Sequence, residues 1–279
     1  MIENWEENDT TQVSSIEKAL RKAKASLEVI LADKLETPPT AAAKPEPQVI
    51  WTTVMEVDQA RLRDNRVVSH LSDTIEADAY KALRTQLIDA TLDKGHNTVF
   101  ITSPMPGEGK TLTSLNLALT ISLTIDQSVL LVEADLRAPS LAGMLGVKFE
   151  KGLANYLADD VPIRELLINP GMAKLTILPA GRPLSGSTEF LSSSKMASLM
   201  AELKTRYPDR YVIVDGPPLL VTPDALALSA QVDAVILVVE TNKTRKEWIT
   251  QAIDLLKGRN LLGLVLNKAP LHHTSRRRR

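Results

Sequence analysis

A lysine and a threonine that open a helical pattern directly after a glycine-punctuated turn can hold phosphate, and residues 99–111, VFITSPMPGEGKT, have that arrangement. Gly107 and Gly109 carry no Cβ, so the backbone can wrap a phosphate while amides at the helix start donate to its oxygens. In such a cradle Lys110 reaches the β- and γ-phosphates and Thr111 holds Mg²⁺, with Glu108 and Leu112 contributing main chain. The pattern G-x-x-x-x-G-K-[ST] is met except at its first position, which falls on Pro104. Pro104 and Pro106 also lack amide protons, so donation must come mainly from residues 107–111. The plain alternative is a glycine-rich turn between a strand and a helix, and the apolar run before and helical pattern after it favour the cradle.

Carboxylates end two further apolar runs. VLLVEADLRAP places Glu133, Asp135 and Arg137 at one end, and YVIVDGPP places Asp215 at another. Taken singly, an Asp at a strand end equally caps the next turn. In open α/β sheets, however, ligands bind at the carboxyl ends of strands, and three acids meeting a Lys-Thr cradle on one edge describe a Mg²⁺-nucleotide site.

The elements that must position these groups alternate. A helical segment from Ile75 leads into the cradle strand, with Ala79, Leu83, Leu87 and Tyr80 on its packed side and Lys81, Arg84 and Asp89 exposed. Residues 109–125 are apolar nearly all round, as in a helix inside a layered α/β domain. Strands follow at 128–135, 175–181, 211–218, 233–240 and 261–267, with helices near 194–206, 223–230 and 243–257. Strands that read as unbroken apolar runs between helices predict an α/β fold, a mostly parallel sheet flanked by helices.

Composition limits the alternatives. A chain of 279 residues with 44% hydrophobic content can bury a substantial core. It has no cysteine, which excludes disulfides and thiolate metal sites and suits a reducing compartment. A net charge of -1 predicts no bulk attraction to nucleic acid or acidic membrane. The longest apolar stretches fall well short of the ~18–20 residues a span requires, and the polar, acidic first 13 residues predict no signal peptide. A cytoplasmic setting is the expectation.

With these motifs in hand, the chain resembles the bacterial tyrosine kinases of exopolysaccharide and capsule synthesis, P-loop enzymes related to the Min and Par ATPases. It is most similar to their exosortase-associated subgroup. The resemblance runs from about Asp78 to Lys268. SPMPGEGKT corresponds to the Walker A motif, LLVEADLRAP to Walker A′ and YVIVDGPP to Walker B. GRPLSGSTEFLSS at 181–193 resembles a further family segment, DAYKALRT at 78–85 the E-x-x-R-x-x-R subunit-contact helix, and SIEKALRKA at 15–23 the subgroup's N-terminal helix. Min and Par ATPases carry a signature lysine where this chain has Met105, which favours the kinase branch.

The resemblance implies phosphoryl transfer from ATP to a tyrosine hydroxyl, with Lys110, Glu133, Asp135 and Asp215 as catalytic residues. It implies Thr111, Asp135 and Asp215 as Mg²⁺ ligands. Gly107, Glu108, Gly109, Lys110, Thr111, Leu112 and Asn267 are the implied nucleotide contacts, Asn267 at the adenine. Arg137 pairs either with phosphate or with an acid. Two departures stand out: Glu133 replaces the usual family Asp, and no tyrosine follows Asn267 where many members carry a phosphorylated cluster. The target is then one of Tyr80, Tyr156, Tyr207 and Tyr211, or a partner's tyrosine, or the protein signals through its ATP state. The implied partners are a membrane polysaccharide co-polymerase (chain-length determinant protein) that recruits the chain to the inner membrane face, further copies of the chain, and a tyrosine-bearing protein substrate.

The expected organisation is an amphipathic helix within 1–36, a linker over 37–72 that includes TPPTAAAKPEPQ, an ATPase/kinase domain over 73–270 and a basic tail over 271–279. The first helix has a narrow apolar stripe, for a partner or for its own domain. Three functions remain open: a tyrosine autokinase, a nucleotide-switched regulator of the same assembly, and a Par-like ATPase on DNA. Only the run Arg276 to Arg279 favours the last, and nucleic acid is not an expected partner.

Overall fold

The computed structural model describes residues 53–68, 74–207 and 209–270. The predicted helix within 1–36, the start of the linker and the basic tail lie outside the described residues. Among those described, strands β1 (Thr53–Val54), β2 (Thr98–Thr102), β3 (Ser128–Glu133), β4 (Ile168–Asn169), β5 (Leu175–Leu178), β6 (Arg210–Asp215), β7 (Ala234–Glu240) and β8 (Leu261–Asn267) form one sheet in the order β1-β4-β5-β3-β6-β2-β7-β8. Every pairing is parallel except that of β4 with β5. No helix among the described residues is long and apolar enough to cross a membrane.

The strands are apolar on both faces because helices cover both. Phe100, Leu130, Val132, Val212 and Val214 face one core, and Val99, Ile101, Val129, Leu131 and Ile213 face the other, the period-two alternation of a strand. Against the first core lie α5 (Leu153–Asp159), α7 (Ser194–Thr205) and α8 (Asp224–Ser229). Against the second lie α1 (Gln59–Asp64), α2 (Ile75–Thr91), α3 (Lys110–Ser122) and α4 (Leu141–Leu145). The short α6 (Ser187–Leu191) precedes α7, and α9 (Lys246–Leu255) precedes β8. All but two residues of α3 are buried, as its all-round apolar pattern predicts.

Two expectations change. Residues 53–68 fall in the predicted linker yet pack on the domain: Leu62 and Val67 are buried, and the Val68 amide donates to Asn116 Oδ1 at 2.9 Å. Asp58 caps α1 by accepting the amides of Ala60 and Arg61. In α2 the inward phase is set by Ala77, Leu87 and Thr91, not Ala79, which is exposed. Arg84 is half-buried and donates to the Thr120 carbonyl at 3.1 Å, and Lys81 is also only partly exposed and pairs with Asp78. The helix therefore spends the cation expected at its outer face on its own neighbour.

Candidate nucleotide site

The parallel topology delivers the predicted chemistry to one edge. β6 lies between β3 and β2, and the register sets Asp215 opposite both Glu133 and Ile101. The turn after β2 reaches α3 through Gly107 at φ 80° and Gly109 at φ 97°, left-handed values that only glycine adopts freely. A Cβ on Gly109 would also lie 2.0 Å from Asn267 Nδ2. The first amides of α3 have no acceptor within the helix and face the cradle.

Glu108 organises this turn from behind. Its Oε2 accepts the Met105 amide at 2.9 Å, and its Oε1 accepts the Thr244 hydroxyl. Asn267 Nδ2 donates to the Glu108 carbonyl at 2.9 Å, and Lys268 Nζ bridges the Gly107 carbonyl at 2.7 Å and Glu240 at 3.0 Å. Asn267, expected at adenine, thus also fastens the end of β8 to the cradle. Leu112 sits in the first turn of α3, partly buried.

Lys110 is nearly buried, its Nζ 3.7 Å from Asp135 Oδ2. Asp135 Oδ1 accepts the Ala138 amide at 3.1 Å. Asp215 is buried; Oδ1 accepts the Ser114 hydroxyl at 3.0 Å, and Oδ2 has no hydrogen-bond partner. Burial pushes its pKa up to about 7, against the Lys110 charge and the neighbouring Thr111 and Ser114 hydroxyls, which favour the ionised form. An orphaned carboxylate oxygen beside a lysine and a threonine is a place that a hard cation would satisfy. Lys110, Thr111, Asp135 and Asp215 therefore fit a Mg²⁺-phosphate group.

Glu133, expected among the catalytic residues, has both carboxylate oxygens on main-chain amides. Its Oε1 accepts the amides of Ser140 and Leu141, both at 2.7 Å, and its Oε2 accepts that of Ala180 at 3.1 Å. Burial raises its pKa while those amides oppose the rise. The carboxylate thus joins the turn at Ser140 and Leu141 to the loop at Ala180.

The matched family model, an AAA domain, covers residues 97–260. The tyrosine-protein kinase YwqD of Bacillus subtilis is 30% identical over 210 residues, 75% of this chain and 87% of YwqD. The chain belongs to the bacterial tyrosine-protein kinases. A putative tyrosine-protein kinase of Ralstonia nicotianae, EpsB, is 32% identical over 197 residues, but those are only 26% of its length. The crystal structure of the VpsO kinase domain matches with a TM-score of 0.64 at 32% identity, covering 75% of this chain and 98% of that domain.

Within this kinase domain several residues escaped the sequence reading. Ser114 follows Lys110 by one helical turn and bonds Asp215. Arg137, whose partner stood open between phosphate and acid, forks onto Asp224 at 3.0 and 3.2 Å. Asp224 is fully buried and also accepts the hydroxyls of Ser187, Thr188 and Thr222. That cluster joins the Walker A′ turn to the GRPLSGSTEF segment. Only the repeated small hydroxyl residues of SGST hinted at it.

Proposed function

We propose that this chain transfers the γ-phosphoryl group of ATP to a tyrosine hydroxyl on another protein within a polysaccharide-export assembly. The observation that carries the reading is the unpartnered Asp215 oxygen facing the Lys110–Thr111 cradle, in a chain whose relatives are tyrosine kinases. Thr111 and Asp215, with Asp135 through water, would hold Mg²⁺, which when bound neutralises phosphate charge. Lys110 would leave Asp135 for the phosphates, and the amides of residues 107–111 would fix the β-phosphate. Asp135, released by that movement, is the carboxylate available to accept the tyrosine proton as the phenolic oxygen bonds to γ-phosphorus. The bond from γ-phosphorus to the bridging oxygen breaks, and ADP leaves. Asn267 retains one amide proton for the base.

The acceptor is expected in trans. Tyr211 is buried and its hydroxyl lies 2.9 Å from that of Thr91; Tyr80 is half-buried beside the side chains of Thr113 and Asn116. Tyr156 lies under Lys195 and Tyr207 under Arg210. We place the chain at the inner membrane face through a co-polymerase partner, with self-association through α2. Phosphotyrosine mapping by mass spectrometry after incubation with Mg-ATP, alone and with a tyrosine-bearing cytoplasmic segment of the partner, tests this. Transfer to the partner is expected. ATP hydrolysis without phosphotyrosine in either mixture would leave the regulatory ATPase reading.

A further inference from the structure

Ser140 stands at the N-cap of α4, where a serine hydroxyl ordinarily accepts an amide of the first turn. Here it makes no such cap bond. Glu133 Oε1 accepts the amides of both Ser140 and Leu141 and so fixes the main chain at the start of α4. The hydroxyl of Ser140 donates to Thr111 Oγ1 at 2.9 Å.

This contact falls on an atom whose direction matters. A threonine in a helix divides between two χ1 rotamers, one of them favoured by a bond to a carbonyl three or four residues back. Thr111 is the second residue of α3, preceded by the cradle rather than by a helical turn. Its rotamer is therefore decided by other groups. A donor at one lone pair of Oγ1, with Asp215 beside the same hydroxyl, fixes the rotation and leaves the second lone pair for a ligand. Outer-shell hydrogen bonds that orient a metal's inner ligands commonly act this way. We infer that Ser140 is a positioning residue that aims the Thr111 hydroxyl for Mg²⁺, and that Glu133 enables it by holding the main chain of Ser140 in place. The chain Glu133, Ser140, Thr111 explains why a glutamate suits position 133: its reach serves the loop and not the acceptor hydroxyl.

The inference rests on the proposed nucleotide site, and titration calorimetry of the full chain with ADP, once in EDTA and once in Mg²⁺, separates the two. Ser140→Ala should bind ADP in EDTA like the parent, while the gain in affinity on adding Mg²⁺ shrinks about two- to tenfold, the effect of one hydrogen bond. Ser140→Thr, which keeps a hydroxyl, should restore most of that gain. Glu133→Asp should reduce the gain similarly, and combined with Ser140→Ala it should reduce it no further, since both act through one contact. A parent-like Mg²⁺ gain in Ser140→Ala, or additive losses in the double variant, would overturn the inference while leaving the nucleotide site standing. A parent that binds no ADP in either solution would overturn both.

Discussion

Asp215 and Asp224 are both buried carboxylates near the carboxyl edge of the sheet, and they live in opposite circumstances. Asp224 accepts three hydroxyls and a two-pronged guanidinium. Burial raises its pKa, but bonds from Arg137, Ser187, Thr188 and Thr222 outweigh that and hold it well below the usual carboxylate range. Asp215 accepts the Ser114 hydroxyl on one oxygen, has the Thr111 hydroxyl beside it and leaves its other oxygen without a hydrogen-bond partner, and burial takes its pKa up to about 7. A buried acid that is fully satisfied holds loops together. One left short of partners is kept ready for a positive charge beyond that of Lys110.

The largest expected separation is in catalysis. Asp215→Asn should lower phosphotyrosine formation at saturating Mg-ATP by at least ~100-fold, comparable to losing one preorganised electrostatic group. Asp224→Asn, after correction for folded fraction, should lose less than ~10-fold. Equal losses would erase the distinction. Lys110→Ala, measured in the same assay with circular dichroism as a control, should match Asp215→Asn without unfolding the domain.

Stability should reverse the order. Asp224→Ala strands Arg137 and three hydroxyls and should cost about 3 kcal/mol in urea denaturation. Asp215→Asn without nucleotide removes a carboxyl that is costly to ionise, moved from 3.8 to about 7. It should raise stability at pH 8 by up to about 4 kcal/mol. The pH dependence carries opposite signs. Because Asp215 has its folded pKa raised, its contribution is complete below about pH 4 and is lost as pH rises through about 7. Asp224 has its folded pKa lowered, so its contribution is present at neutral pH and is lost as pH falls below the ordinary carboxylate range. Urea midpoints compared with the parent should show Asp215→Asn gaining on it as pH rises through about 7, and Asp224→Ala lying below it at neutral pH and approaching it only as pH falls below about 4.

The same contrast marks what could be read from residues alone. The parallel sheet was legible because each central strand is a continuous apolar run, and the convergence of Lys110, Thr111, Asp135 and Asp215 followed from the rule that such strands end together. β1 and β4 were not legible: two residues each carry no periodicity. The packing of 53–68 depends on Leu62 and Val67 inside a polar stretch next to a proline-rich one. Asp224 in TPDAL reads as an ordinary helix start, and its partner Arg137 lies 87 residues away. Glu133 was legible as a strand-end acid, but which groups occupy its oxygens depends on the path of two later loops. Saturation is a property of three-dimensional neighbours, and local sequence does not encode it.

The smallest effect sharpens the contrast most, because it asks whether Arg137 belongs to the satisfied acid or to the phosphate. Its guanidinium is about half exposed, with a side-chain exposure of 51%, while Asp224 beneath it has none. Arg137→Lys keeps the positive charge and gives up the fork that grips both carboxylate oxygens. Three hydroxyls still cover Asp224, so the loss should be about 1 kcal/mol of stability, and the KM for ATP should stay within about twofold of the parent. If Arg137 instead swings to phosphate during turnover, the lysine variant should retain stability and lose ATP affinity, since a point charge replaces bidentate recognition. Urea denaturation and ATP-dependent initial rates on that one variant decide between them. A raised KM with unchanged stability would move Arg137 from the satisfied cluster to the waiting site.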